Sequence, residues 1–171
     1  MKIFGFAGWS GSGKTTLVEQ LIPRLVAQVG RVSLVKHAHH AFDIDVPGKD
    51  SWRHRMAGCT EVMVSSGRRY ALMHELRDED ELSLAQAVAR LSPCSLVLVE
   101  GYKTHPIPKL EIWRQAVGKP WLFTGDPHIR AVASDDPAAL AGCPLPVFAL
   151  DDVDEIATFV AANAFDWPVA N

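Results

Sequence analysis

Gly8-Trp9-Ser10-Gly11-Ser12-Gly13-Lys14-Thr15 decides the reading of this chain. The octapeptide satisfies G-x-x-x-x-G-K-[ST], the Walker A phosphate-loop pattern, and its flanks supply the context that pattern needs. Ahead of it, Lys2-Ile3-Phe4-Gly5-Phe6-Ala7 is a short apolar run suited to a buried strand. Behind it, Leu17, Val18, Leu21, Ile22, Leu25, Val26 and Val29 recur at helical spacing. Strand, glycine-rich turn and helix, in that order, predict a cradle for a phosphate chain.

The chemistry follows from the backbone. Glycines at 11 and 13 let the chain curl with its N–H groups pointing inward, a concavity that takes anions. The helix opening near Lys14 adds unsatisfied N–H donors and the positive end of its dipole. In this pattern Lys14 reaches the β- and γ-phosphates, the Thr15 hydroxyl ligates Mg²⁺, and Thr16 touches the α-phosphate. Ser10, Gly11, Ser12 and Gly13 complete the expected nucleotide cradle.

Composition narrows the class. At 171 residues the chain reads as one domain over residues 1–165, with a tail at 166–171 that frays. A net charge of −3 argues against nonspecific nucleic-acid binding, which wants a basic footprint. Cys59, Cys94 and Cys143 are scattered and odd in number, which suggests reduced thiols in a cytoplasm rather than a disulfide frame or zinc ribbon. No apolar stretch approaches the roughly 20 residues of a membrane span.

Further along, Gly30 is expected to cap the first helix and Pro23 to kink it. Residues 31–36 read as a second strand and 51–57 as a short helix closed by Gly58. Residues 60–65 and 69–74 flank Ser66-Gly67 as an antiparallel hairpin, either a sheet extension or a dimer contact. Asp78-Glu79-Asp80-Glu81 suggests the start of a helix bearing Leu84, Val88 and Leu91. Residues 95–99, 109–114, 121–124, 131–134 and 147–150 are strand candidates, and a last helix opens at Asp152-Val153-Asp154-Glu155 with a capping-box-like start. Buried strands alternating with helices predict an α/β fold of the P-loop NTPase type. The sheet is mostly parallel, with helices on both faces and an antiparallel hairpin extension.

A phosphate loop needs an acidic partner at a strand end. Glu100, closing Leu96-Val97-Leu98-Val99, is the candidate. Being one methylene longer than Asp, it either ligates the metal, orients a water, or pairs with a lysine. Gly101 offers an N–H to the γ-phosphate or serves as a plain turn. The polar segment Lys36-His37-Ala38-His39-His40, with Asp43, Asp45, Lys49 and Asp50, allows three roles. It closes over the γ-phosphate with Asp43 or Asp50 near Mg²⁺, it holds a second phosphorylated ligand with Arg53, His54 and Arg55, or His37, His39 and His40 share a transition metal.

These segments resemble the molybdopterin-guanine dinucleotide biosynthesis adaptor (protein B) family over nearly the whole chain. The resemblance rests on residues 9–16, Val35-Lys36-His37-Ala38-His39-His40, Asp43 to Ser51 with its Pro47-Gly48-Lys49-Asp50, Leu98-Val99-Glu100-Gly101-Tyr102-Lys103, and Ile129-Arg130-Ala131-Val132-Ala133-Ser134-Asp135. It implies a dimeric GTP-binding protein with weak GTPase activity, assisting a molybdenum cofactor guanylyltransferase that joins GMP to molybdopterin. The family's loop residues carry over onto 11–16, its acidic residue onto Glu100 and its histidine loop onto His37, His39 and His40. Molybdopterin itself is expected near that basic segment.

The guanine-reading signature N-K-x-D is absent. Asp135 is the nearest substitute, since a carboxylate accepts from guanine N1–H and the 2-amino group; Asp135 and Asp136 are equally candidates for a helix N-cap before Pro137. Two other functions fit the residues. One is a small-molecule kinase using Arg53, Arg55, Arg68 or Arg69 as lid arginines. The other is a nickel-type metallochaperone GTPase. Neither a base for the attacking group nor a catalytic arginine stands out, which favours slow turnover.

Overall fold

The computed structural model describes residues 1–38 and 42–168. In chain order the elements are β1 (Lys2–Ala7), α1 (Lys14–Val29), β2 (Val32–Lys36), α2 (Asp50–Met56), β3 (Glu61–Ser65) and β4 (Tyr70–His74). After these come α3 (Leu84–Ala89), β5 (Leu96–Glu100), β6 (Lys109–Trp113), β7 (Ile129–Ser134), β8 (Val147–Ala149), α4 (Val153–Asn163) and β9 (Phe165–Asp166). They fall into two compact units: Met1–His37 with Leu84–Asn171, and Ala38–Ser83.

The first unit is a seven-stranded sheet in the order β2-β5-β1-β6-β7-β8, with β9 added against β1. The six strands of that path run parallel. The continuous apolar runs of β1 after Lys2 and of β5 before Glu100 are what a sheet covered on both faces requires. Side chains still alternate. Phe4, Phe6, Leu96 and Leu98 pack against α1 and α4 through Leu17, Leu21, Leu25, Ile156 and Val160. Ile3, Val97 and Val99 face the other way, onto Val35, Leu84 and Val88. The parallel order brings the C-terminal ends of β1, β2, β5, β6 and β7 to one edge.

The second unit is α2 with the β3–β4 hairpin, whose strands pair antiparallel with each other as a separate sheet. Its polar ties are dense. Arg55 donates to both Asp43 oxygens (2.9 and 2.8 Å), to Asp45 Oδ2 (3.1 Å) and to Glu75. His74 bonds Glu61 through Nδ1 at 2.8 Å and Glu79 through Nε2 at 2.9 Å.

Four sequence expectations need correction. Residues 121–124 form no strand, because the Leu122 and Phe123 N–H groups donate to the Glu111 carboxylate (2.8 and 2.9 Å) instead of to a ladder. The acidic run 78–81 precedes α3 rather than opening it, and Glu79 spends its carboxylate on His74. Asp152 sits at the N-cap of α4 but makes no side-chain cap; its ψ of 50° lies outside the extended range that aims a side chain at the first turn. Phe165 and Asp166 are ordered as a strand rather than frayed. β6 pairs with β1 only from Gly5 onward, which leaves Lys2 and Ile3 open, and Phe165 and Asp166 fill that edge.

Candidate functional site

β1 ends at Ala7 in a buried position, and α1 begins at Lys14, so the 8–13 loop spans strand end to helix start. Gly8 could be nothing else: a Cβ there would lie 2.5 Å from the Ile112 carbonyl oxygen, at a φ of +150°. Gly13 is the N-cap in a left-handed conformation and offers no side-chain cap, so the first-turn N–H groups of α1 keep their donor capacity for a ligand.

Lys14 reaches back over the loop and donates to the carbonyls of Gly8 and Trp9, both at 2.9 Å. Burial lowers its pKa, Glu100 works against that, and Lys103 and Lys36 reinforce it. The Thr15 hydroxyl donates to Glu100 Oε1 at 3.1 Å, which joins the two expected magnesium-side residues. Lys36 Nζ stands 3.5 Å from Glu100 Oε2, so Glu100 meets both the hydroxyl and the lysine. Ser12 is buried, and its Oγ has no hydrogen-bond partner among the described residues. Ser10, Gly11 and Thr16 are exposed along the loop mouth.

The chain after Glu100 turns through two residues of positive φ. Gly101 has φ +96° and a Cβ there would meet His37 Cβ at 2.7 Å, so glycine makes room for the histidine. His37 donates its N–H to Glu100 O at 2.8 Å and sets its ring 4.9 Å from that of Tyr102. Tyr102 has φ 45°, a left-handed conformation uncommon outside glycine. Behind it, buried Lys109 donates to Lys103 O (2.9 Å) and His105 O (2.6 Å) and pairs with Asp126 at 2.8 Å. A buried ammonium with all its donors matched fixes the 103–105 backbone. Lys103 Nζ thereby lies 5.1 Å from the centre of the Trp9 ring, with Lys119 at 5.8 Å. The Trp9 indole N–H donates to Pro120 O at 2.8 Å.

At the next strand ends, Asp136 takes the cap role, accepting from the Ala138 and Ala139 N–H groups at 3.2 and 3.3 Å. Asp135 is left to meet Arg114, Nη1 to Oδ2 at 3.4 Å. Arg114 also donates from Nε to Ser12 O at 3.0 Å. Sequence reasoning missed Arg114, yet it directly follows β6 as Glu100 closes β5. Glu111, also missed, is fully buried; burial raises its pKa while the Leu122 and Phe123 N–H groups oppose the rise.

Asp50 belongs to the second unit, where its Oδ1 accepts from the Ser51 N–H at 2.9 Å. Arg55, offered to the kinase reading, is committed to three carboxylates. His39 and His40 lie outside the described residues. Among the described residues no group of three or more His, Cys, Asp or Glu is arranged to hold a metal. No helix among them is long and apolar enough to cross a membrane.

A mostly parallel sheet whose central strand runs through a glycine loop into a helix defines a protein of P-loop NTPase-like fold. The comparisons narrow that class. Residues 3–135 match the model of the family described as molybdopterin guanine dinucleotide synthesis protein B. A molybdopterin-guanine dinucleotide biosynthesis adapter protein of Escherichia coli (strain K12) is 44% identical over 161 residues, covering 92% of this chain and 90% of the relative. One from Haemophilus influenzae is 42% identical over 159 residues, covering 92% and 86%. A crystal structure of molybdopterin-guanine biosynthesis protein B superposes with a TM-score of 0.71 at 25% identity, over 94% of this chain and 98% of that one. This chain belongs to the molybdopterin guanine dinucleotide synthesis protein B family.

Proposed function

We propose that the chain is a cytoplasmic GTP-binding adaptor that works with Mg²⁺ and hydrolyses GTP slowly. It assists the guanylyltransferase that joins GMP to molybdopterin in making the guanine dinucleotide form of the molybdenum cofactor. The relatives' names supply the pathway. The observation that carries the nucleotide half is the Thr15–Glu100 contact at 3.1 Å, at the foot of a loop whose lysine is already turned inward. A hydroxyl beside a carboxylate is the hard oxygen pair suited to magnesium, which when bound neutralises charge between the β- and γ-phosphates. Lys14, released from the Gly8 and Trp9 carbonyls, takes the phosphate charge. Slow turnover fits an Arg114 occupied by Ser12 O and Asp135.

Asp135 is the proposed reader of the guanine edge, since Asp136 is committed as a cap. Competitive binding of GTP and ATP with Mg²⁺ tests this reading. Guanine preference in the wild type, binding lost in Lys14→Ala, and a switch toward xanthosine triphosphate in Asp135→Asn are expected. Adenine preference would overturn it. A homodimer is proposed on the hairpin. Met63 is 61% and Tyr70 67% exposed, and an isolated two-stranded hairpin is marginal in water without a partner. A monomer at micromolar concentration in analytical ultracentrifugation would count against it. Molybdopterin contact is proposed near the histidine loop, and cofactor binding unchanged in a triple variant of Lys36, His39 and Arg53 would exclude it.

A further inference from the structure

The Arg114 guanidinium touches two places that a nucleotide would occupy separately. Nε donates to Ser12 O at 3.0 Å, on the glycine loop; Nη1 lies 3.4 Å from Asp135 Oδ2, at the end of β7. Its plane runs close along the loop, because a Cβ on Gly13 would sit 3.2 Å from Nη2. Arg114 is partly exposed and Asp135 is exposed, with side chains 37% and 42% accessible.

The loop contact has a consequence fixed by peptide geometry. A trans peptide is planar, and its C=O and N–H point in opposite directions. Holding Ser12 O against Arg114 therefore turns the Gly13 N–H away from Arg114, across the loop. A charge-assisted bond to the carbonyl also polarises that peptide and strengthens its N–H as a donor. The same cation holds Asp135 in one orientation at the neighbouring strand end. Lysine could not do both, since an ammonium is a point charge while the guanidinium is a rigid fork.

From this geometry we propose that Arg114 is a positioning residue that couples base recognition to phosphate grip. It orients the Asp135 carboxylate for the guanine edge and, through Ser12 O, the Gly13 N–H for the phosphate chain. The nucleotide then meets one preset site instead of two independent ones. This rests on the reading of Asp135 as the base-reading group.

The test measures dissociation constants of GTP, ATP and inorganic tripolyphosphate, each with Mg²⁺, for the wild type, Arg114→Gln, Arg114→Lys and Asp135→Asn. Thermal unfolding of each variant checks that it is folded. Arg114→Gln is expected to weaken tripolyphosphate and ATP by about fivefold and GTP by about fiftyfold, so that the GTP-to-ATP preference falls roughly tenfold, the scale of one directed charged hydrogen bond. Arg114→Lys is expected to restore most of the tripolyphosphate affinity but not the preference. Equal losses for GTP and ATP in Arg114→Gln would reduce Arg114 to a brace of the loop and overturn the coupling. No change in any ligand would overturn both halves. If the wild type prefers guanine and Asp135→Asn leaves that preference intact, the reading of Asp135 fails instead. The tripolyphosphate series then still reports on the loop half alone.

Discussion

In the first unit Phe4, Phe6, Leu21, Leu25, Leu98 and Ile156 are fully withdrawn from water, whereas α2 of the second unit contains no buried residue. The second unit draws on Arg55 with its three carboxylates and on His74 with its two. Apolar burial is indifferent to pH and is not screened by salt; partly exposed ion pairs respond to both. One chain thus combines a unit held chiefly by apolar burial with a second unit tied chiefly by ion pairs.

The largest expected effect lies in the sheet. Leu21→Ala removes a fully buried side chain between α1 and the strands, at a cost of about 3 kcal/mol in urea unfolding. A loss below about 1 kcal/mol would mean that the site collapses freely and that the contrast is overdrawn. Next comes Arg55→Gln, which leaves Asp43, Asp45 and Glu75 without their common cation. Hydrogen exchange is expected to quicken roughly tenfold across α2, β3 and β4 while the amides of β1 and β5 keep their protection. Equal loss in both units would erase the distinction.

The pH response is smaller and has a definite sign. Hydrogen bonds donated to the Glu61 and Glu79 carboxylates raise the His74 pKa above its ordinary 6.5. That contribution is complete below 6.5 and is lost as pH rises through the raised value. The Asp45 N–H and then the Arg55 side chain lower Asp43 below its ordinary 3.8. At Asp45 desolvation pulls upward, yet the bonds from Ser51, Arg55 and the Val46 N–H bring a net fall. Those contributions are present above 3.8 and are lost as pH falls through the lowered values. Exchange protection of the hairpin should therefore be greatest between about 4 and 6.5, and His74→Gln should remove its alkaline limb. Smallest of all is salt: 1 M NaCl, with a Debye length of about 3 Å, should loosen the hairpin slightly and leave the sheet unmoved.

Much of the first unit was legible because it obeys local rules. The loop at 8–15, the strand ending in Glu100 and the cap at Gly30 each announce themselves within a few residues. What escaped reading depends on distant partners. Residues 121–124 carry the aromatic pattern of a strand, but buried Glu111 takes the Leu122 and Phe123 N–H groups. The pairing of 165–166 with β1 follows from where β6 begins, which no local pattern encodes. Arg114 closes a strand visibly, yet its role appears only once β6 and β7 lie beside the loop. The placing of Lys103 over Trp9 likewise depends on a distant partner, the buried Lys109 clamp.

The pairing of β9 with β1 also bears on how the protein is made. Lys2 meets Leu96 and Ile3 meets Phe165, so β1 finds these neighbours only after many further residues are made. At a translation rate of roughly 5–20 residues per second, on the order of ten seconds separate β1 from the segment that finishes its edge. Until β5 emerges, Phe4 and Phe6 have only α1 close at hand to shield them, and Ile3 lies on the opposite face. A ribosome that stalls before Phe165 would leave a nascent chain with Lys2 and Ile3 open to strand pairing with a stranger.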